Sequence, residues 1–239
     1  METSNMFRRC IALFGKENFD IICNAKVMII GLGAVGGYAL ETIVRTGVNN
    51  IVVVDFDEFE ESNLNRQILA TMNTLGAKKC NVARDRILEI NPNANVKVYD
   101  LKIKKEVLSF IKDEKPCFVI DAIDDVEAKC DLIEFLVENN INFVSAMGAA
   151  LKLETTLIKS STLDKTNNCH LAKKVRGILR KKDVELKRVK VVYSDECSKI
   201  IKDDEGNNIL GSAIFVPMAM GAKLGSIAVE EIKSRRKNG

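Results

Sequence analysis

The sequence lacks any Cys-x-x-Cys pair, and its seven cysteines, Cys10, Cys23, Cys80, Cys117, Cys130, Cys169 and Cys197, are odd in number. Neither a disulfide framework nor a zinc ribbon is therefore expected. No apolar run reaches the roughly 20 residues that a membrane helix requires. No basic start leads into an apolar leader either. These absences point to a soluble, unprocessed protein of a reducing cytoplasm. Repeats, low-complexity linkers and a clear domain boundary are also missing, so a single domain over 1–239 is expected. The one histidine, His170, stands beside Cys169 without an obvious third member of a catalytic triad, and a structural or surface role suits it best.

What the chain does contain is alternation. At 239 residues and 46% hydrophobic it can bury one sizeable core. Short apolar runs alternate with longer amphipathic stretches, the pattern of a parallel sheet wrapped by helices. Strands are expected at Lys26–Ile30, Asn50–Asp55, Val96–Tyr99, Cys117–Asp121 and Asn142–Ala146. Between them, helices are expected at Ala34–Thr46, stopped by Gly47, at Ala77–Glu89 and at Val126–Asn139. Beyond residue 150 the pattern loosens. Leu153–Ile158 and Val189–Tyr193 read as strands flanking a basic helix, Leu171–Lys181, and Ala213–Lys233 reads as a closing helix containing Pro217. The fold class is α/β: a Rossmann-like, mostly parallel sheet flanked by helices, with a nucleotide-binding core at about 20–150 and a smaller, irregular C-terminal α/β lobe at about 151–239.

Gly31, Gly33 and Gly36 follow a strand and open a helix, where missing Cβ atoms let the backbone turn tightly and approach a phosphate or ribose. The helix N-terminus offers free N–H groups to an anion. Asp55 ends the second strand, where an acidic side chain can accept both hydroxyls of a ribose. On these residues alone a dinucleotide enzyme and an ATP enzyme both qualify, and glycines that merely ease helix–sheet contact are the plain alternative. The continuation favours a triphosphate. Asp57, Ser62-Asn63-Leu64-Asn65-Arg66-Gln67 and Gly76-Ala77-Lys78-Lys79 supply a guanidinium fork, an amide donor and lysine point charges. A second acidic cluster, Asp121-Ala122-Ile123-Asp124-Asp125, falls just past a strand end, on the edge where ligands of open sheets bind, and a carboxylate there can hold Mg²⁺.

These motifs, together with Arg8-Arg9-Cys10-Ile11 and Ile90-Asn91-Pro92, occur in an order that resembles the E1-like activating enzymes, which form acyl adenylates from ATP. The resemblance covers about the first two thirds of the chain. It implies that Gly31, Gly33, Ala34 and Gly36 form the nucleotide loop, that Asp55 binds the ribose, that Asn63, Arg66 and Lys79 bind phosphates, and that Asp124 binds magnesium. Lys78 and Lys79 are adjacent and remain interchangeable at this level. Arg9 matches an arginine that reaches the partner subunit's ATP site in that superfamily, which implies a homodimer. With Arg66, Lys79 and Asp124 it completes the implied catalytic set.

Within the superfamily the chain is most similar to the tRNA threonylcarbamoyladenosine dehydratases, through Leu171-Ala172-Lys173-Lys174-Val175-Arg176, Val191-Val192-Tyr193-Ser194-Asp195-Glu196 and Gly211-Ser212. Leu153-Glu154-Thr155 departs from the Asp-Pro-Thr turn frequent in that branch. The branch implies ATP-dependent ring closure on a tRNA nucleoside: its carboxylate becomes an acyl adenylate, and a nearby carbamoyl nitrogen displaces AMP. Proximity supplies much of the rate of such a step, so no enzyme nucleophile is required. Cys169 and Cys197 are the only plausible catalytic thiols, while Cys80, Cys117 and Cys130 read as core fillers. Lys173, Lys174, Arg176 and Arg180 are candidates for RNA binding, against the alternative of a solvated helix face; Lys181, Lys182, Lys187, Arg188 and Lys190 extend the run. An adenylyltransferase of a sulfur-carrier or ubiquitin-like protein is the competing reading, and a silent nucleotide-binding scaffold is a third. No sulfur-transfer or redox partner is identified by the sequence.

Overall fold

The computed structural model describes residues 3–198, 201–202 and 205–234. Arg235, Arg236 and Lys237, which make the segment from Lys233 to Lys237 rich in basic residues, lie outside these residues. The chain opens on helices α1 (Thr3–Met6), α2 (Arg8–Phe14) and α3 (Lys16–Asn24). Periodicity does not announce them, because α2 buries none of its residues and α3 only Phe19 and Ile22. Then follow β1 (Lys26–Ile30), α4 (Gly36–Thr46), β2 (Asn50–Val54), α5 (Lys79–Ile90), β3 (Asn95–Tyr99), α6 (Phe110–Glu114), β4 (Phe118–Asp121), α7 (Val126–Glu138) and β5 (Phe143–Ala146). The last part holds β6 (Ile158–Thr162), α8 (His170–Lys181), β7 (Lys190–Ser194), the small hairpin β8 (Ile201–Lys202) and β9 (Asn208–Ile209), and α9 (Phe215–Ser234).

Seven strands form one sheet in the order β3-β2-β1-β4-β5-β7-β6. All neighbours are parallel except β6, which runs antiparallel to β7. The central strands are buried on both faces and so read as continuous apolar runs. Their side chains still alternate. Val27, Ile29, Ile51 and Val53 join the cluster under α4, α5 and α9, while Met28, Ile30, Val52 and Val54 join the one under α6, α7 and α8. The C-terminal part shares this sheet, since β7 pairs with β5 and α9 lies in the first cluster.

Element ends agree with expectation to within two residues in most places. Gly47 takes the left-handed conformation, φ +107°, and closes α4 through its N–H to the Ile43 and Val44 carbonyls. Pro217 falls in the first turn of α9, where its missing N–H costs no intrahelical bond. The strand expected at Leu153–Ile158 is a correction: β6 starts only at Ile158. The amides of Leu153 and Glu154 both donate to Glu196 Oε2 at 2.9 Å, and the Glu154 carboxylate caps a 3-10 turn, Thr155–Leu157. With its donors taken by side chains, the segment has no ladder to form.

Beneath the carboxyl ends of β4 and β5 lies a fully buried ion pair. Lys129, from the first turns of α7, places Nζ 2.6 Å from Asp121 Oδ2 and 3.1 Å from Ser145 Oγ, and Ser145 donates to the same carboxylate oxygen at 2.5 Å. Lys129 and Asp121 have no exposed side-chain surface. Such a pair rarely adds net stability over apolar residues, but losing one partner strands the other charge. Lys129→Met is therefore expected to destabilise the fold by about 3–5 kcal/mol in urea denaturation. Adding Asp121→Asn should restore part of that loss; a Lys129→Met chain as stable as the parent would refute the account.

Candidate active site

The strand order reverses direction between β1 and β4, and a cavity of about 660 Å³ opens beside their carboxyl ends. This is the switch point at which open α/β sheets bind ligands. Gly31 has φ +90°, and a Cβ there would sit 2.7 Å from the Ala122 carbonyl oxygen. A Cβ on Gly36 would lie 1.8 Å from the Gly31 carbonyl oxygen. Both glycines thus have a steric reason within the fold. Gly33 does not: its nearest neighbour would be Gln67 Nε2 at 3.9 Å, and its bare backbone faces the cavity with Ala34 and Val35. The eleven-residue α4 begins immediately after and has no side-chain cap, which leaves its N-terminal dipole to an anion.

Asp55 lies at the end of β2, buried, with its carboxylate oriented by two backbone donors: Leu32 N–H to Oδ2 at 2.6 Å and Asp57 N–H to Oδ1 at 2.9 Å. Burial raises its pKa, against the opposing pull of these N–H groups and of Lys79. Each carboxylate oxygen keeps a further acceptor position, which suits ribose hydroxyls. Lys79, at the start of α5, is buried and lines the cavity with Nζ 3.1 Å from Asp57 Oδ2. Lys78 points elsewhere, toward Glu58 and Asp100 at 3.4 and 3.5 Å. Arg66 lines the cavity, its Nη1 held by the Ser62 carbonyl at 2.6 Å and by Asn65 Oδ1 at 2.9 Å.

Not every expected residue reaches this space. Asn63 is buried and engaged by Glu60 N–H at 3.3 Å and Ser62 Oγ at 3.2 Å, and it is not part of the cavity wall. Gly36 is also behind the wall, and Arg9 is exposed on α2, away from it. Conversely, Gln67 is a wall residue whose place in the string from Ser62 gave no separate role. Its Oε1 is buried without a hydrogen-bond partner among the described residues. Asp124 is exposed to the cavity, next to Asp125, whose Oδ1 caps α7 through Ala128 N–H at 2.8 Å. No cluster of three or more metal-binding side chains exists among the described residues. One carboxylate beside a phosphate site nevertheless fits Mg²⁺, which keeps most of its waters and takes its other ligands from substrate phosphates.

The far wall is made by residues 147–152, Cys169, His170, Leu171 and Lys174, with Leu210 and Ser212. Leu151 holds φ +59°, a conformation uncommon for a branched side chain. Cys169 is buried, and its Sγ caps α8 by accepting from Ala172 N–H at 3.5 Å. Cys197 is exposed. Cys80 and Cys130 are core residues as expected; burial pushes both thiols up, Cys130 to about 11.

The basic segment divides in two. Lys173, Lys174 and Arg180 are exposed on α8. Arg176, expected among the RNA contacts, is half-buried, and its Nη1 donates to the Thr166 carbonyl at 2.8 Å, to Thr166 Oγ1 at 2.5 Å and to the Leu163 carbonyl at 3.3 Å, which fastens α8 to the preceding turn. Lys182 is tied to Asp131 and Glu134, both at 2.7 Å, and Lys190 to Glu231.

Comparison with known proteins identifies the family. The ThiF family model matches residues 7–215. The tRNA threonylcarbamoyladenosine dehydratase of Bacillus subtilis (strain 168) is 32% identical over 241 residues, covering 95% of this chain and 94% of that protein. Crystal structures of the Escherichia coli tRNA N6-threonylcarbamoyladenosine dehydratase superpose with TM-scores of 0.93 in complex with AMP and 0.90 in complex with ATP, each at 29% identity, covering 99% of this chain and 97% of that one. No helix among the described residues is long and apolar enough to cross a membrane. With the glycine loop, Asp55, Lys79 and Asp124 around one switch-point cavity and a family match over most of its length, the chain belongs to the ThiF family of E1-like proteins.

Proposed function

We propose that this protein is an ATP-dependent tRNA threonylcarbamoyladenosine dehydratase. The observation that carries the reading is a single cavity with two unlike ends: the glycine loop, Asp55, Arg66 and Lys79 on one side, and the basic helix α8 on the other. Its similarity to dehydratases over almost the whole chain supplies the substrate.

In the proposed reaction the threonyl carboxylate of the modified adenosine attacks the α-phosphorus of ATP, and pyrophosphate leaves. The carbamoyl nitrogen then attacks the activated carbonyl carbon. A C–N bond forms, the C–O bond to AMP breaks, and the nitrogen gives up its proton. Water is lost in sum, its oxygen carried away in AMP. The residues around the cavity divide this work. Asp55 accepts from the ribose, and the N–H groups at the start of α4 with Lys79 and Arg66 balance phosphate charge. Mg²⁺, when bound on Asp124, would neutralise charge on the departing pyrophosphate. The ring closure is intramolecular, with an effective molarity on the order of 10⁵ M or more. A protein nucleophile is unnecessary, in keeping with a buried, cap-forming Cys169. The N-terminal segment that carries Arg9 would complete the site of a second copy in a cytoplasmic homodimer.

Incubation with ATP, magnesium and tRNA carrying the threonylcarbamoyl group should release AMP and pyrophosphate in equal amounts while the nucleoside loses one water by mass. Activation of a carrier protein's C-terminal glycine, with inert tRNA, would sink the proposal in favour of a sulfur-carrier adenylyltransferase.

Asp124→Ala should lower pyrophosphate release by roughly 10²–10³, the scale of a lost transition-state contact, and leave tRNA affinity within about twofold. Equal loss of tRNA binding would mean that Asp124 orders the fold or the RNA and does not serve the phosphates.

Arg9 is tested by mixing. If it acts across the two-fold axis, an Arg9→Ala chain combined with an Asp124→Ala chain regains about one working site per mixed dimer. Verified heterodimers without activity would place Arg9 in its own subunit's structure.

A further inference from the structure

Among the described residues, five cationic side chains face the cavity: Arg66, Lys79, Lys102, Lys152 and Lys174. Four are engaged. Arg66 holds the Ser62 carbonyl and Asn65, Lys79 pairs with Asp57 at 3.1 Å, and Lys102 lies over the Phe56 ring at 5.0 Å. Lys152 is buried and donates to the Asn168 and Glu196 carbonyls. Lys174 alone among them makes no hydrogen bond, ion pair or ring contact with the described residues. It is exposed within a wall that includes the small residues Gly148, Ala149 and Ala150.

The turn of the helix separates Lys174 from its basic neighbours. At 3.6 residues per turn, His170, Leu171 and Lys174 share one side of α8, and all three line the cavity. Lys173 and Arg180 fall on another side and are not part of its wall. An unpaired ammonium on a cavity wall favours an anion that enters with the ligand. The phosphate end already has Arg66, Lys79 and the α4 N-terminus. The other anion of the reaction is the carboxylate to be activated.

Resting on the proposed function, we infer that Lys174 binds the carboxylate of the threonylcarbamoyl group, and that it belongs with the reacting nucleoside and not with the RNA phosphate contacts of Lys173 and Arg180. Lys174 thereby sets specificity for the modified nucleoside. Its role is distinct from that of its sequence neighbour Lys173, which is a candidate contact to RNA phosphates.

The test measures binding of modified tRNA, and of the same tRNA lacking the modification, to the full-length protein with a non-hydrolysable ATP analogue over a range of salt. The parent should prefer modified tRNA. Lys174→Ala should lose on the order of tenfold or more of that preference, as for a charge-assisted hydrogen bond. It should bind unmodified tRNA like the parent, and Lys174→Arg should retain the preference. Lys173→Ala with Arg180→Ala should weaken both tRNAs alike and reduce the slope of log affinity against log salt by about 0.7–0.9 per lost phosphate contact. A Lys174→Ala chain that keeps the preference, or that weakens both tRNAs equally with a flatter salt slope, overturns the assignment, as does a parent without preference. A parent that activates a carrier protein and binds neither tRNA removes the proposed function itself, which a normal parent with an indifferent Lys174 would not do.

Discussion

Two turns of chain have to share the space between the carboxyl ends of β1 and β4, and the architecture follows from how closely they meet. The turn after β1 brings Gly31 against the Ala122 carbonyl, and α4 then starts with Gly36 against Gly31 itself. A side chain at Gly31 would drive the two turns apart, and one at Gly36 would push α4 away from the turn after β1. The turn after β4 is fixed from inside, where Asp121 Oδ1 accepts from Ile123 N–H at 3.0 Å and Oδ2 meets Lys129 and Ser145. That ion pair costs desolvation, and each of its partners is hydrogen-bonded, which ties the turn after β4 to α7 and β5. Asp124 is carried on the outer part of this turn. The same buried network that closes the core thus sets where a carboxylate can stand in the cavity.

The strand–turn–helix elements around the glycine loop were legible in the sequence because their parts are local. A strand, its glycine turn and the next helix are consecutive, and the central strands announce themselves by apolar runs that need no partner to be recognised. The near equivalence of Lys78 and Lys79 was not resolvable that way. It is settled by Asp57, which accepts from the Lys79 backbone at 2.9 Å and from its side chain at 3.1 Å, so that Lys79 turns inward and Lys78 toward Glu58 and Asp100. Asn63 likewise carries a motif identity, but local bonds to Glu60 and Ser62 occupy it. The misplaced strand at Leu153–Ile158 has a different cause. Its pattern looked extended, but the decisive partner, Glu196, is more than forty residues away, and no local pattern encodes such a contact.

Charge tells a similar story. A net charge of +3 says little about a partner, and a count of lysines and arginines between Cys169 and Lys190 says only that some face solvent. Three of the nine basic residues from Lys173 to Lys190, namely Arg176, Lys182 and Lys190, hold other parts of the fold. The cations that remain on α8 are fewer, and helical phase divides them between the cavity and the outer surface. A basic run read from sequence therefore overstates the contact surface and understates its specificity, since ion pairs of low exposure and solvent-facing charges look alike in a string of letters.

The two ends of the cavity are also built from different kinds of structure. Strand ends and the first turns of α4 and α5 form the glycine-loop end; the strands are buried on both faces, and α4 and α5 pack together against one of them. The far end comes from the 147–152 segment, the start of α8 and the 210–212 segment, so its position depends on connections between distant parts of the chain. Loops on a rigid scaffold can change without disturbing the sheet. A chemistry that begins with ATP can accordingly stay fixed on the strand ends while the acceptor end changes from one member of a family to another, and the residues that distinguish acceptors are to be sought among the wall positions that the sheet does not hold.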